Sequence, residues 1–286
     1  MTTYFSKLLS VLRPYRAAAA AEARMNSRIT SVEQSLLKQV NDLQAQLLAT
    51  REQTAAIVNR QHVREKRNAR SAAPYDCEEY LNELEANFPV AFPIWKQLFD
   101  AGAAEYEARL PSSLSVTGNA GSDAFRQFLS LHIRGHVLDI GCGPQELPSY
   151  LAGHQIDRLA GIDPLPRSSK ADFEFVQGFA ECLPWPTDEF DTITVATSLD
   201  HVLSLDMALS EIKRVLRADG TLVMWVSFIA GAQPYDPLDP TLKPIDHFHL
   251  FHFDRGWFLE LMTRYFILRE EFPLDLQSHF FAFSKP

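Results

Sequence analysis

Five strand-length apolar runs, at residues 136–140, 158–162, 173–177, 192–196 and 221–226, constrain the fold of this chain more than any other feature, and spacers of ten or more residues separate them. Strands so spaced cannot be joined by tight hairpins. They predict parallel pairing through crossovers, with both faces of the sheet covered. Helices are expected over 146–152, 205–215 and 254–264, and over 77–88, 91–109 and 122–132 ahead of the first strand. A closing pair at 267–271 and 279–283 adds an antiparallel edge. The expected architecture is α/β, a doubly wound mixed sheet of about seven strands.

The first 70 residues are of another kind. From Met25 to Val58 there is neither Gly nor Pro, which favours one long helix. Met25, Ile29, Val32, Leu36, Val40, Leu43 and Leu47 step by three and four, the spacing of a coiled-coil seam. Two consecutive steps of four between Val32 and Val40 mark a stutter. Residues 1–70 are therefore read as a helical arm that joins copies into a homo-oligomer, and 74–286 as the globular domain beyond a polar linker. The arm carries twelve Lys and Arg against five Asp and Glu, and the remainder fifteen against thirty-one. An acidic body has no wide phosphate-binding surface, so no nucleic-acid partner is expected. The basic arm suits an acidic protein partner, or peripheral contact with anionic lipid at the inner face of a membrane. Its first apolar segment is broken by Lys7, Arg13, Pro14 and Arg16, so it is not read as a spanning helix. Three cysteines without a CxxC pair fit a reducing, cytoplasmic setting.

The chemistry begins where the first strand ends. Val137–Pro144 reads as a buried strand running into a glycine turn and then a helix, with Gly141 and Gly143 free to take positive φ and let backbone approach a ligand. The third glycine of a dinucleotide fingerprint is replaced by Glu146, which would repel a diphosphate. Asp139, two residues before Gly141, suits an ammonium group instead. Asp163 falls 22 residues after Gly141 at the tip of the second strand, where a carboxylate accepts the two hydroxyls of a ribose. A sulfonium-bearing amino-acid nucleoside fits this pattern better than a nicotinamide dinucleotide.

In their order and spacing, residues 137–144, Gly161-Ile162-Asp163, 178–184, Phe190-Asp191, 198–202 and 211–220 resemble the successive motifs of class I S-adenosylmethionine-dependent methyltransferases of the broad "type 11" group. The resemblance covers about 130–285 and leaves out the arm. It implies a Rossmann-like sheet and S-adenosylmethionine as cofactor. Asp139, Gly141 and Gly143 would hold the methionine part and Asp163 the ribose, with Cys142 and Ser198 also among the cofactor-binding residues. Phe179, Ala180 and Glu181 would meet the adenine, with Phe179 stacking where the family often has an acid. The loop Leu199-Asp200-His201-Val202 would border both methyl donor and acceptor. His201 is the candidate base, since a neutral imidazole can take a proton from an attacking hydroxyl, and Asp200 and His249 are the other catalytic candidates.

Residues 246–252 alternate His247, His249 and, three on, His252. Read as a short strand, they would point His247 and His249 into one acceptor pocket; no metal is expected, for want of a clear carboxylate constellation. The preceding loop, 230–244, holds four prolines, Tyr235 and two acids, and suits a polar, hydroxyl-rich acceptor, a small molecule or glycan, methylated at oxygen. Coiled-coil arms on such domains suggest surface-polysaccharide biosynthesis. The competing readings are a non-catalytic scaffold assembled through the arm and, disfavoured by Glu146, a dehydrogenase.

Overall fold

The computed structural model describes residues 77–109, 120–144, 146–166 and 173–286, together with helical Gln34, Lys38 and Gln39. The seam of the arm and the linker at 61–73 otherwise lie outside the described residues. The chain divides into two units, Met1–Lys66 and Arg67–Pro286, and the second contains the sheet.

Three helices, α1 (Cys77–Asn87), α2 (Ala91–Arg109) and α3 (Ala120–Leu129), precede the first strand. Then come β1 (His136–Ile140), β2 (Arg158–Asp163), β3 (Glu174–Gln177), β4 (Phe190–Ala196), α4 (Leu205–Val215), β5 (Leu216–Ser227), α5 (Arg255–Thr263), β6 (Ile267–Pro273) and β7 (Ser278–Ser284). The strand order is β3-β2-β1-β4-β5-β7-β6. β1 to β5 pair in parallel, and β7 inserts antiparallel between β5 and β6. This is the Rossmann-like seven-stranded mixed sheet that the strand spacing predicts.

Strand periodicity divides the core. Alternate residues of β5 and β7 go to opposite faces: Val223, Trp225, Phe280 and Ala282 pack with Phe125, Phe128 and Tyr150 on one side. Leu222, Met224, Phe281 and Phe283 pack on the other, with Leu84, Trp95, Leu209 and Phe258. Both faces are apolar, as parallel strands between two helical layers require. Capping fixes the ends of the later helices: Ser204 Oγ accepts from the Met207 amide at α4, and Asp254 from the Gly256 amide at α5.

Two expected elements are absent. Residues 146–152 do not form an α-helix; only a 3₁₀ turn at Ser149–Leu151 follows the glycine turn. Pro144 and Pro148 lie within five residues, and Pro148 holds φ −56° and ψ 134°, so the backbone is extended where a helix would need its second turn. Residues 246–252 are not a strand. Asp246 Oδ1 accepts from the amides of Phe248 and His249 at 2.8 Å each, which curls the chain into a side-chain-stabilised turn. Among the described residues no helix is long and apolar enough to cross a membrane.

The strand order reverses between β1 and β4, since β1 continues to β2 on one side and β4 to β5 on the other. The cleft outside the carboxyl ends of these strands is where open α/β sheets bind ligands. The turns after β1, β2 and β4 all meet there.

Candidate functional site

The turn after β1 is shaped by its neighbours in the fold. Gly141 and Gly143 take φ +73° and +70°. A Cβ on Gly141 would lie 2.3 Å from both Cβ and Oγ of Ser198, so glycine is required on steric grounds as well as by dihedral. Ser198 closes over the turn and donates to the Ile140 carbonyl at 2.9 Å. It reaches that position because Thr197, a β-branched residue, stands at φ +53°. Such residues rarely occupy the left-handed region, and the strain lies at the switch point of the sheet. Cys142 is buried, its Sγ against Gly161 of β2.

Asp163 is at the tip of β2 as expected. Its Oδ2 accepts from the Gly143 amide at 2.7 Å and its Oδ1 from the Leu165 amide at 2.9 Å. The carboxylate thus ties the two turns together.

Asp139 departs from expectation. It is wholly buried, with Oδ2 accepting from the Tyr150 hydroxyl at 2.8 Å and Oδ1 from the Thr194 hydroxyl at 2.5 Å. It presents no carboxylate face to a ligand and can act on one only through its field. Burial lifts its pKa to about 7; the Thr194 and Tyr150 hydrogen bonds oppose the rise and Asp163 adds to it. Nothing in the spacing of the sequence marks Tyr150 or Thr194 as its partners.

The adenine candidates are also committed within the fold. Phe179 lies in a box of rings formed with Tyr80, Trp95 and Phe99 at centroid distances of 5.9, 5.6 and 6.1 Å. Ala180 is buried. Glu181 is buried and accepts from the Leu203 and Ser204 amides at 2.7 and 3.2 Å, so its carboxylate holds the loop after β4 and does not face a base. Burial pushes its pKa up, and backbone amides, among them those of Ser204 and Leu203, oppose the shift. Two other motif acids do similar structural work. Asp191 accepts from the His136 amide at 2.9 Å and pairs with Arg217 at 2.8 Å. Glu211 accepts from the Leu183 amide, and Arg214 binds it while donating to the Leu183 and Trp185 carbonyls.

A second group of side chains lies beyond β4. Asp200 and His201 are in a 3₁₀ turn, Leu199–His201, which the Trp95 indole anchors by donating to the His201 carbonyl at 2.9 Å. His201 stacks on His249 with centroids 4.5 Å apart. His249 Nδ1 meets Asp246 at 2.9 Å, and its Nε2 faces Asp200 Oδ2 at 3.8 Å. His252 Nε2 reaches Asp246 Oδ2 at 3.0 Å. Burial lowers the His249 pKa, with Asp200 opposing and His201 adding to the shift. The histidine that joins His249 is thus His252, while His247 is exposed; the turn replaces the period of two with a curl. The three catalytic candidates His201, Asp200 and His249 do come together, and Asp246 and His252 are additions. The expectation of no carboxylate constellation fails here, because Asp200 and Asp246 flank His249. The loop at 230–244 packs on the same region: Tyr235 stacks on Phe251 at 4.3 Å and donates to the Leu203 carbonyl at 2.8 Å.

A methyltransferase-domain family profile matches residues 138–224. Over 67 residues the chain is 45% identical to a ubiquinone/menaquinone biosynthesis C-methyltransferase, UbiE, of Hahella chejuensis, covering 23% of this chain and 25% of that protein. Over 113 residues it is 34% identical to a demethylmenaquinone methyltransferase of Roseiflexus castenholzii, covering 36% and 46%. The chain spans between a quarter and a half of the length of these two relatives. A Burkholderia thailandensis 1,6-didemethyltoxoflavin-N1-methyltransferase structure, with bound S-adenosylhomocysteine, aligns at TM-score 0.49 and 18% identity over 75% of this chain and 92% of that one.

Proposed function

From residues 138–224 as a methyltransferase domain of the class I type, we propose that the protein binds S-adenosylmethionine at the ends of β1, β2 and β4 and methylates a small-molecule or glycan acceptor at oxygen. The observation that carries this reading is the Gly141–Gly143 turn clipped to the Asp163 carboxylate. Two carboxylates, Asp139 and Asp163, stand behind backbone that a ligand can approach, and no α-helix N-terminus follows to receive a phosphate. The fit is to a cation bearing a ribose, and against a dinucleotide.

When bound, S-adenosylmethionine supplies an electrophilic methyl group on a sulfonium. Asp163 would accept the ribose hydroxyls, and the backbone of Gly141, Gly143 and Ser198 would hold the amino-acid part. Asp139 contributes negative potential from behind the turn without touching it. Asp200, His201 and His249 lie at the carboxyl end of β4, where the acceptor would stand. A neutral imidazole there can take the proton of an attacking hydroxyl, while in-line placement of acceptor and methyl supplies the larger part of the rate. C-methylation, the reaction in the name of the Hahella chejuensis relative, is the second reading. The Asp200–His249 group serves the oxygen reading by taking the proton that an attacking hydroxyl must lose; methylation at carbon also releases a proton, and analysis of the methylated product separates the two. Assembly through the arm and a place in surface-polysaccharide synthesis belong to the same proposal, on the arm's seam and on analogy.

Calorimetric titration with S-adenosylmethionine and S-adenosylhomocysteine tests the central step. Saturable binding of both, weakened at least tenfold by Asp163→Ala, is expected. No heat at high micromolar ligand would sink the proposal. A non-catalytic scaffold would bind without ever turning over labelled cofactor on glycan and phenolic acceptors.

A further inference from the structure

We propose that Asp200, His201 and His249 form a binding site for one divalent transition-metal ion. The ligand atoms offered by these three residues all lie within 4.8 Å of one another. His249 Nε2 is 3.8 Å from Asp200 Oδ2, and His201 Nε2 is 4.0 Å from Asp200 Oδ1. Those separations are too long for hydrogen bonds. They are slightly wider than the edge of a tetrahedral site with ordinary metal–nitrogen bonds, about 3.4 Å. Asp200 Oδ1 is buried and receives no hydrogen bond, an arrangement that costs free energy unless a cation or donor meets it.

The support around His249 points the same way. Its Nδ1 is bound by both oxygens of Asp246 at 2.9 Å, which fixes the tautomer that leaves Nε2 with a free lone pair toward Asp200 and His201. A carboxylate behind a histidine is the usual outer support of a metal ligand. Asp246 is itself held by the Phe248 and His249 amides, and the 3₁₀ turn bearing Asp200 and His201 by the Trp95 indole. The other nearby group, Asp246, His249 and His252, has its atoms at 2.9–3.0 Å. Those are hydrogen-bond distances, and that group is already satisfied.

Two imidazoles and a carboxylate favour Zn²⁺, Fe²⁺, Co²⁺ or Mn²⁺ over Mg²⁺ or Ca²⁺, which want oxygen alone. Three protein ligands leave positions open. On the methyltransferase reading, on which this role rests, the ion would stand in for the imidazole base, whose lone pair it holds: an open position would take an acceptor hydroxyl and lower its pKa, the proton passing to solvent.

Co²⁺ is the probe, added to metal-stripped, untagged full-length protein and followed by visible d–d absorption and by calorimetry. One saturable equivalent per chain is expected. Asp200→Asn and His249→Gln should each weaken it at least tenfold, and Asp246→Asn on the order of 10–100-fold by releasing the His249 ring, whereas His252→Gln should leave it within about threefold. Thermal melts of each variant show whether it is folded. Absence of a saturable equivalent, or affinity in Asp200→Asn equal to the parent's, overturns the assignment. Loss in His252→Gln with retention in Asp200→Asn overturns it too, placing the ion at the other group. S-adenosylmethionine titrated into the same samples separates the two ideas: cofactor binding without Co²⁺ binding sinks the metal site alone, and the converse sinks the methyltransferase reading alone.

Discussion

The turn after β1 and the histidine turn beyond β4 sit at the same end of the sheet and are built on opposite terms. In the first, Ser198 closes on Ile140, Asp163 on Gly143, and Asp139 on Tyr150 and Thr194. In the second, Asp200, His201 and His249 face one another at 3.8–4.0 Å without bonding. Bonds within the first region hold the fold, so changes there should be felt in stability. The second spends little on the fold and keeps its lone pairs for something else, so changes there should be felt in chemistry.

Gly141→Ala breaks the first region most directly. The new methyl adds roughly 1–2 kcal/mol for a left-handed residue with a Cβ, and displacing Ser198 forfeits a further hydrogen bond of about 1 kcal/mol. With the steric overlap, a loss of about 3–4 kcal/mol is expected in denaturant unfolding. Ser198→Gly on top of Gly141→Ala should restore the steric part and leave the dihedral part. A fully additive pair would show that Ser198 is not what crowds the turn.

Asp139→Asn comes next, and its sign is opposite. The folded pKa of about 7 lies above that of an unfolded aspartate, so the folded protein holds a proton that the unfolded chain has released. The stabilising contribution is complete below the unfolded pKa and is lost as pH rises from about 4 through 7. At pH 8 the parent carries a buried charge and the Asn variant does not, and the variant should be more stable by up to about 4 kcal/mol, with the difference vanishing near pH 4. A cationic ligand in front of the turn should bind more tightly as pH rises through 7, an effect Asp139→Asn should flatten. A variant that melts below the parent at pH 8 would show that the Asp139 charge is stabilised by something other than Tyr150 and Thr194.

How far the sequence revealed these regions depends on what physical signal each carried. β1, α2 and α4 are read to the residue, and the other strands within two residues except β5, which begins five residues ahead of its expected start; the strands are legible because burial on both faces leaves continuous apolar runs whatever the details of packing. Asp163 is legible because the strand tip and the glycine turn are both local patterns. Glu181 and Phe179 are not. Their side chains point inward, where long-range partners (Leu203 and Ser204 for one, the ring box for the other) decide their role. The 3₁₀ turn at Ser149–Leu151 was readable from Pro148. The Asp246 turn was in principle legible too, since an aspartate accepting from amides two and three residues on competes with any strand. The meeting of Asp200 with His249 carries no local signal, because the loop between β5 and α5 brings it about.

Thr197→Gly is a smaller test. At φ +53° a glycine removes roughly 1–2 kcal/mol of strain and adds unfolded-state entropy of about 0.5–1 kcal/mol. A net gain of about 0.5 kcal/mol is expected. A loss above about 1 kcal/mol would mean that the threonine side chain makes a stabilising contact larger than its strain.

The smallest expected effect is the one that decides the comparison. His201 is about half exposed, with 49% of its side chain accessible, and its tie to Trp95 runs through the backbone carbonyl, so His201→Ala removes neither a buried hydrogen bond nor packed volume. In metal-free buffer the unfolding free energy should stay within about 0.5 kcal/mol of the parent. If it falls by 2 kcal/mol or more, the His201–His249 stack at 4.5 Å is part of the fold's framework. The second region would then differ from the first only in how its bonds are arranged, and the case for holding its lone pairs in reserve for an ion or an acceptor would lose its energetic basis.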